Sequence, residues 1–293
     1  MASEIKSFTV DELRLLVEGE LLKVFEAPGS TPKLSDIARY GVFPGGKRIR
    51  PVLALAWCVD LGGDPSKLAL AAAALELVHC ASLIHDDLPA LDNDDFRRGR
   101  PACHRAFTEA GAILAGDMLV SRAHRCLLDA PFPSDTLVEF TRVLANAYID
   151  LCLGQHLDLL PVGERGDLPA IHRLKTGALF SACTAFGSLG AGRGGNEIRR
   201  AAELGHAIGL LFQISDDFID AHGTDAARGR PGSSDERNGK ENFFSDSRLD
   251  PLKIVAETER EIERHIHELS PRGASLTGEL VSRVVRPMKN ASV

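Results

Sequence analysis

The chain has 293 residues, 44% of them hydrophobic, enough to bury a large core. Its net charge is −7, with acids and bases interspersed and no basic run threaded by aromatics, which excludes a nucleic-acid-binding footprint. Six cysteines (Cys58, Cys80, Cys103, Cys126, Cys152, Cys183) show no CxxC pairing, so they read as reduced core thiols and not as a disulfide framework or a zinc site.

The first residues, MASEIKSFTVDELRLLVEGE, carry acids where a signal peptide needs a basic start. No later run reaches ~18 uncharged apolar residues. The expectation is a soluble, cytoplasmic protein with no membrane span. Residues 9–26 place Leu13, Val17, Leu21 and Val24 at helical spacing behind Thr9 as N-cap. In FPGGKRIRP, residues 43–51, two glycines precede Lys47, Arg48 and Arg50. Lys47 and Arg50 are three apart on a helix predicted over 47–60, so they point the same way, and the glycines let backbone amides approach an anion. A GGK turn alone is a weak signal.

LALAAAALELVHCASLIHDD, residues 68–87, is apolar nearly all round, the pattern of a helix at the centre of a bundle. It runs straight into Asp86, Asp87, Asp92, Asp94 and Asp95, followed by Arg97 and Arg98. Asp86 and Asp92 are six apart, which on a straight helix sets them ~120° from each other. Pro89 disfavours helical geometry at Leu88 and predicts a bulge that swings Asp92 back toward Asp86 and Asp87. Asp94 and Asp95 are expected to be solvated or paired with the nearby arginines.

Further helical patterns cover 105–129, 135–160, 168–190, 195–222 and 250–269, and no segment alternates with period two. The expected fold is all-α, one domain over 1–293, a bundle of roughly ten helices. On the 195–222 segment, GLLFQISDDFID supplies Asp216, Asp217 and Asp220. Asp216 and Asp220 stand one turn apart on a shared face. Two half-buried carboxylates so placed are costly without a cation between them, and Mg²⁺, which keeps waters and borrows phosphate oxygens, suits the spacing. Two such clusters ending two core helices suggest metals bridging carboxylate walls to a polyanionic ligand. Residues 221–251, rich in Gly, Ser, Asp and Arg, read as a long loop.

GGKRIRP, HCASLIHDDLPALDNDDFRRGRPACH, GQHLDL, KTGALF and FQISDDFID, in this order and spacing, resemble the trans-isoprenyl diphosphate synthases, or polyprenyl synthetases, over about residues 35–245. The resemblance implies an isoprenoid synthase fold around a central cavity and a homodimer. It implies about three Mg²⁺ ions, two on Asp86, Asp87 and Asp92 and one on Asp216, Asp217 and Asp220. Arg97, Lys175 and Lys240 would contact the diphosphate of an allylic substrate. Lys47, Arg50, His79 and Arg98, with the backbone of Gly46, would hold that of isopentenyl diphosphate. Lys175, Thr176 and Gln213 would face the reacting carbon and the leaving group. His79 on its own residue type reads as a core histidine; only the resemblance gives it a role.

The activity implied is ionisation of a dimethylallyl, geranyl or farnesyl diphosphate, condensation with isopentenyl diphosphate and proton elimination. In the family, the side chains four and five residues before the first Asp, here Ser82 and Ala81, lie beneath the growing chain. Both are small, which points to geranylgeranyl over farnesyl diphosphate. The chain departs from the family where a lysine-bearing loop is expected: Arg230 stands for the first lysine, Ser234 supplies no charge, and KENF lacks the usual Thr-Tyr. The alternatives are a farnesyl diphosphate synthase, a class I terpene cyclase, against which GGKRIRP argues, and a non-catalytic regulatory subunit, against which two complete Asp sets argue.

Overall fold

A computed structural model describes residues 8–26, 32–161, 163–224, 242–270 and 273–291. Helix α1 (Val10–Glu26) opens with a reciprocal cap: the Thr9 N–H donates to Glu12 Oε2 at 2.8 Å and the Glu12 N–H to Thr9 Oγ1 at 3.2 Å. It is followed by α2 (Pro32–Val42), α3 (Ile49–Asp60) and α4 (Pro65–Asp86). The Asp64 side chain and Pro65 at the first helical position start α4.

A hairpin of two-residue strands, β1 (Phe96–Arg97) and β2 (Arg100–Pro101), interrupts the helices. Then come α5 (Cys103–Ala106), α6 (Glu109–Leu128), α7 (Ser134–Asp158) and α8 (Leu168–His172). A π turn (Arg173–Gly177) leads into α9 (Ala178–Gly190), then α10 (Gly195–His222), α11 (Pro251–Leu269) and α12 (Ser275–Ala291). Among the described residues the fold is all-α apart from that hairpin, as the patterns predict.

Two helices lie outside the predicted segments. Helix α2 holds Ser35 and Gly41, and α12 holds Gly278 and Pro287, so neither has the composition of a strong helix former. The 168–190 segment is helical but broken by the π turn. Helix α4 packs against α1, α3, α6 and α9, which accounts for its apolar surface on all sides. By length and composition α4 could cross a membrane, contrary to the expectation that no segment qualifies, but 78% of its apolar window is buried inside the bundle. Trp57 of α3, fully buried, donates its indole N–H to Ser188 of α9 at 3.0 Å and fixes those helices side by side.

Candidate active site

The C-terminal ends of α4 and α10, the turn before α3 and the π turn surround a cavity of about 840 Å³. Its wall includes Gly46, Lys47, Arg50, His79, Ser82, Asp86, Asp92, Arg97, Arg98, Lys175, Thr176, Gln213, Asp216 and Asp217, so the structure brings most of the predicted site residues to one place. Arg230, Ser234 and Lys240 lie outside the described residues.

Helix α4 ends at Asp86, and the loop after Leu88 folds back until the Asp92 N–H donates to the Asp86 carbonyl at 2.8 Å. The bulge expected from Pro89 is therefore present, and Asp86 and Asp92 share the cavity wall. Burial pushes the Asp86 carboxyl up to about 6; Lys175 opposes this, while Asp92 adds to it by like-charge repulsion.

Asp87 does not join them. It is 2% exposed, faces a small hollow behind the wall and accepts a hydrogen bond from Arg97 Nε at 3.0 Å, with Arg97 Nη2 also on its carboxylate. Adjacent helical residues point ~100° apart, and here that turn takes Asp87 away from the cavity that Asp86 lines. Asp94 also lies beside Arg97, at 3.5 Å, and Asp95 pairs with Arg105 at 2.5 Å.

The second acidic motif divides differently: Asp216 and Asp217 both line the cavity, and Asp220 is not among the lining residues. Asp216 is exposed in the cavity, whereas Asp217 is 4% exposed and Asp220 6%. Asp217 Oδ1 accepts from Gln213 Nε2 at 2.7 Å, and its Oδ2 accepts from the Phe243 N–H at 2.9 Å. Asp217 thus has a protein donor on each oxygen while it lines the cavity.

Arg50 is held by stacking and by a neutral partner. Its guanidinium carbon lies 4.7 Å from the Phe180 ring centroid and 5.4 Å from that of Phe212. Its Nη1 lies 3.3 Å from His79 Nε2. Burial, then Arg50, Arg98 and Arg97, push the His79 imidazolium well below its usual range, so His79 is neutral and accepts from Arg50.

Arg48, given no role by sequence reasoning, proves central to this corner. It sits at φ 53 with its side chain fully buried, donating to Glu18 Oε1 at 2.7 Å, Glu76 Oε1 at 2.6 Å and the Val42 carbonyl at 2.9 Å. A Cβ on Gly45 would stand 2.1 Å from the Arg48 guanidinium carbon. The first glycine of the GG pair is therefore needed for arginine passage; the approach of an anion does not explain it. Glu76 also lies 4.0 Å from Arg98 Nη2, which ties the two arginines to one carboxylate.

On the opposite wall, Lys175 Nζ meets Asp158 Oδ2 at 2.6 Å and the Thr176 hydroxyl donates to Gln213 Oε1 at 2.6 Å. Both Lys175 and Thr176 ride on the π turn, a local widening that re-aims side chains and recurs at functional sites. Gly154 of α7 makes room for it: a Cβ there would lie 2.2 Å from the Lys175 backbone nitrogen. Gln155 lines the cavity with its amide buried and without a hydrogen-bond partner among the described residues. Gly154, Gln155 and Asp158 all lie in GQHLDL, a motif whose individual residues receive no task from the sequence alone.

Residues 31–263 match the Polyprenyl synthetase family model. The chain belongs to the polyprenyl synthetase family. It is 42% identical over 234 residues to the geranylgeranyl diphosphate synthase of Rhodobacter capsulatus, covering 77% of this chain and 79% of that one. To the farnesyl diphosphate synthase of Escherichia coli it is 40% identical over 225 residues, 74% of this chain and 75% of the relative. Among solved structures, a geranyltransferase from Legionella pneumophila superposes with a TM-score of 0.77 at 33% identity, covering 94% of this chain and 96% of that one. This polyprenyl synthetase is a short-chain trans-prenyl diphosphate synthase.

Among the described residues no three His, Cys, Asp or Glu side chains converge to cage a metal unaided. Asp86 and Asp92 on one wall, Asp216 on the other and cations around them form a donor set that fits a divalent ion completed by phosphate oxygens and water.

Proposed function

We propose that this synthase condenses isopentenyl diphosphate with an allylic diphosphate to give all-trans geranylgeranyl diphosphate. The observation that carries the product length is Ser82. It lines the cavity one turn below Asp86 with only a hydroxyl, which it donates to the His79 carbonyl at 2.9 Å, so no bulky side chain floors the cavity there. Ala81, also small, is fully buried in the core beside it.

Mg²⁺ on Asp86, Asp92 and Asp216, with Asp220 one turn further on, would neutralise the departing pyrophosphate and supply Lewis-acid stabilisation. About three ions are expected. Lys175 and Arg97 bind the allylic diphosphate. Lys47, Arg50 and Arg98 hold isopentenyl diphosphate, with the Gly46 backbone beside it and neutral His79 steadying Arg50. As the allylic C–O bond breaks, the Thr176 hydroxyl oxygen and nearby apolar walls face the cationic carbon and exclude water. The π electrons of isopentenyl diphosphate then form the new C–C bond. A proton leaves C2 of the isopentenyl unit to the pyrophosphate, closing the double bond without a protein base.

A second copy of the chain is the expected partner. Ile113 and Leu114 on α6 and Ile149 and Leu153 on α7 are 44%, 54%, 57% and 51% exposed, an apolar surface that a homodimer would cover.

The test pairs Asp86→Ala and Asp216→Ala with the parent enzyme, following product by mass and activity against Mg²⁺ concentration. The reading expects a twenty-carbon product and a fall in turnover of about 10²-fold or more in either variant. Near-parental turnover in either would remove that residue from the metal site, and a fifteen-carbon limit would assign farnesyl diphosphate instead.

A further inference from the structure

Four residues form one directed hydrogen-bond chain: Phe243 N–H to Asp217 Oδ2 at 2.9 Å, Gln213 Nε2 to Asp217 Oδ1 at 2.7 Å, and Thr176 Oγ1–H to Gln213 Oε1 at 2.6 Å. A carboxylate only accepts, so Asp217 admits a single orientation of the Gln213 amide, with Nε2 toward Asp217 and Oε1 toward Thr176. The Thr176 hydroxyl has one proton, and Gln213 Oε1 takes it. Its lone pairs are what remain for the cavity.

We propose that Asp217 is a positioning residue that sets the polarity of Thr176, and not a metal ligand. This rests on the reading above that Thr176 faces the allylic carbon. There the negative end of the hydroxyl dipole stabilises the cation that forms, and the reversed dipole opposes it. Asp217 also ties the Asn242–Ser245 turn to α10 through the Phe243 amide, so the position of that turn and the polarity of Thr176 depend on one side chain.

Asp217→Asn is close to isosteric and makes the proposal specific. The Phe243 N–H requires an acceptor, so it keeps the oxygen of the new amide and leaves the NH₂ facing Gln213. Gln213 must then present Oε1 to that donor and Nε2 to Thr176, which accepts and turns its own proton into the cavity. Adding Gln213→Glu restores the original direction, because the introduced carboxylate accepts from both neighbours and the total charge of the pair is unchanged.

The experiment measures kcat, both KM values and calorimetric Mg²⁺ binding with inorganic pyrophosphate in Asp217→Asn, Asp216→Asn and Asp217→Asn/Gln213→Glu, with amide exchange at Phe243. The expected result for Asp217→Asn is kcat lower by about 10–10²-fold. Its two KM values, its Mg²⁺ binding and its Phe243 protection should stay within about twofold of the parent, and the double variant should recover at least a tenfold part of the loss. Asp216→Asn should weaken Mg²⁺ binding. Loss of Mg²⁺ binding in Asp217→Asn to the same degree as in Asp216→Asn, an unchanged kcat, or no recovery in the double variant would overturn the proposal. If the parent enzyme forms no condensation product, the reading of the reaction fails, whereas the Mg²⁺ and amide-exchange comparison still decides whether Asp217 is a ligand.

Discussion

Arg48 reaches Glu76 at 2.6 Å inside the fold, with side-chain exposures of 0% and 2%. The pair joins the turn before α3 to α4, and Glu18 on α1 completes it at 2.7 Å. Cutting the Glu76 side leaves the buried Arg48 with only Glu18 and the Val42 carbonyl as partners, at a cost of at most about 3–5 kcal/mol. Glu76→Ala is therefore expected to lower unfolding stability by that order. Glu76 also stands beside Arg98, so any folded fraction should show a raised KM for isopentenyl diphosphate with less change for the allylic substrate. Denaturant titration and steady-state kinetics check both. An unchanged stability would mean that Arg48 is satisfied without Glu76.

Gly154 meets the π turn at backbone distance. Gly154→Ala places a methyl group 2.2 Å from the Lys175 nitrogen, so α7 or the π turn must move. Overpacking of this kind costs about 1–3 kcal/mol, and the displaced Lys175 and Thr176 should lower kcat more than either KM. Full activity in this variant would show that the π turn yields without affecting the reaction.

Ser82→Phe tests the floor of the cavity. A ring in place of the hydroxyl fills the space one turn below Asp86, and the expected outcome is a shift from twenty-carbon to fifteen-carbon product with farnesyl diphosphate accumulating. Mass analysis of the extracted products reads it directly. An unchanged chain length would place the limiting wall on another helix.

His206 gives a pH signature away from the site. Burial, aided by Arg173, lowers its pKa from 6.5 to about 4, against the pull of Glu203. Below 6.5 the unfolded chain takes up a proton that the folded chain refuses until about pH 4. This contribution to stability is thus present above 6.5 and lost as pH falls through the window. The full loss is at most ~3 kcal/mol, and less to the extent that water reaches the ring. His206→Gln should flatten the decline in stability between about pH 7 and pH 4.5 relative to the parent, as measured by urea unfolding. An identical pH slope in the two proteins would contradict the assignment.

The acidic motifs are legible in the sequence because charge interrupts apolar helices at Asp86 and Asp216. The helical period reaches further still: consecutive residues point ~100° apart, so the two members of each Asp pair take different surroundings, Asp87 off the cavity and Asp217 on its wall but bonded to Gln213 and Phe243. Arg48 is not legible, because its partners lie 28 and 30 positions away in a chain whose contacts the pattern does not give. Nor is the π turn, since RLKTG carries no composition signal and its geometry answers to Gly154 on a different helix. Helices α2 and α12 escape because packing, not propensity, stabilises them.

The most direct test is incubation of the purified enzyme with Mg²⁺, isopentenyl diphosphate and, separately, dimethylallyl, geranyl and farnesyl diphosphate, with products resolved by chromatography and mass. Condensation is expected with each primer that the open cavity admits, ending at geranylgeranyl diphosphate, with no product when Mg²⁺ is chelated. Absence of any condensation product with all three primers, or turnover that survives chelation, would contradict it.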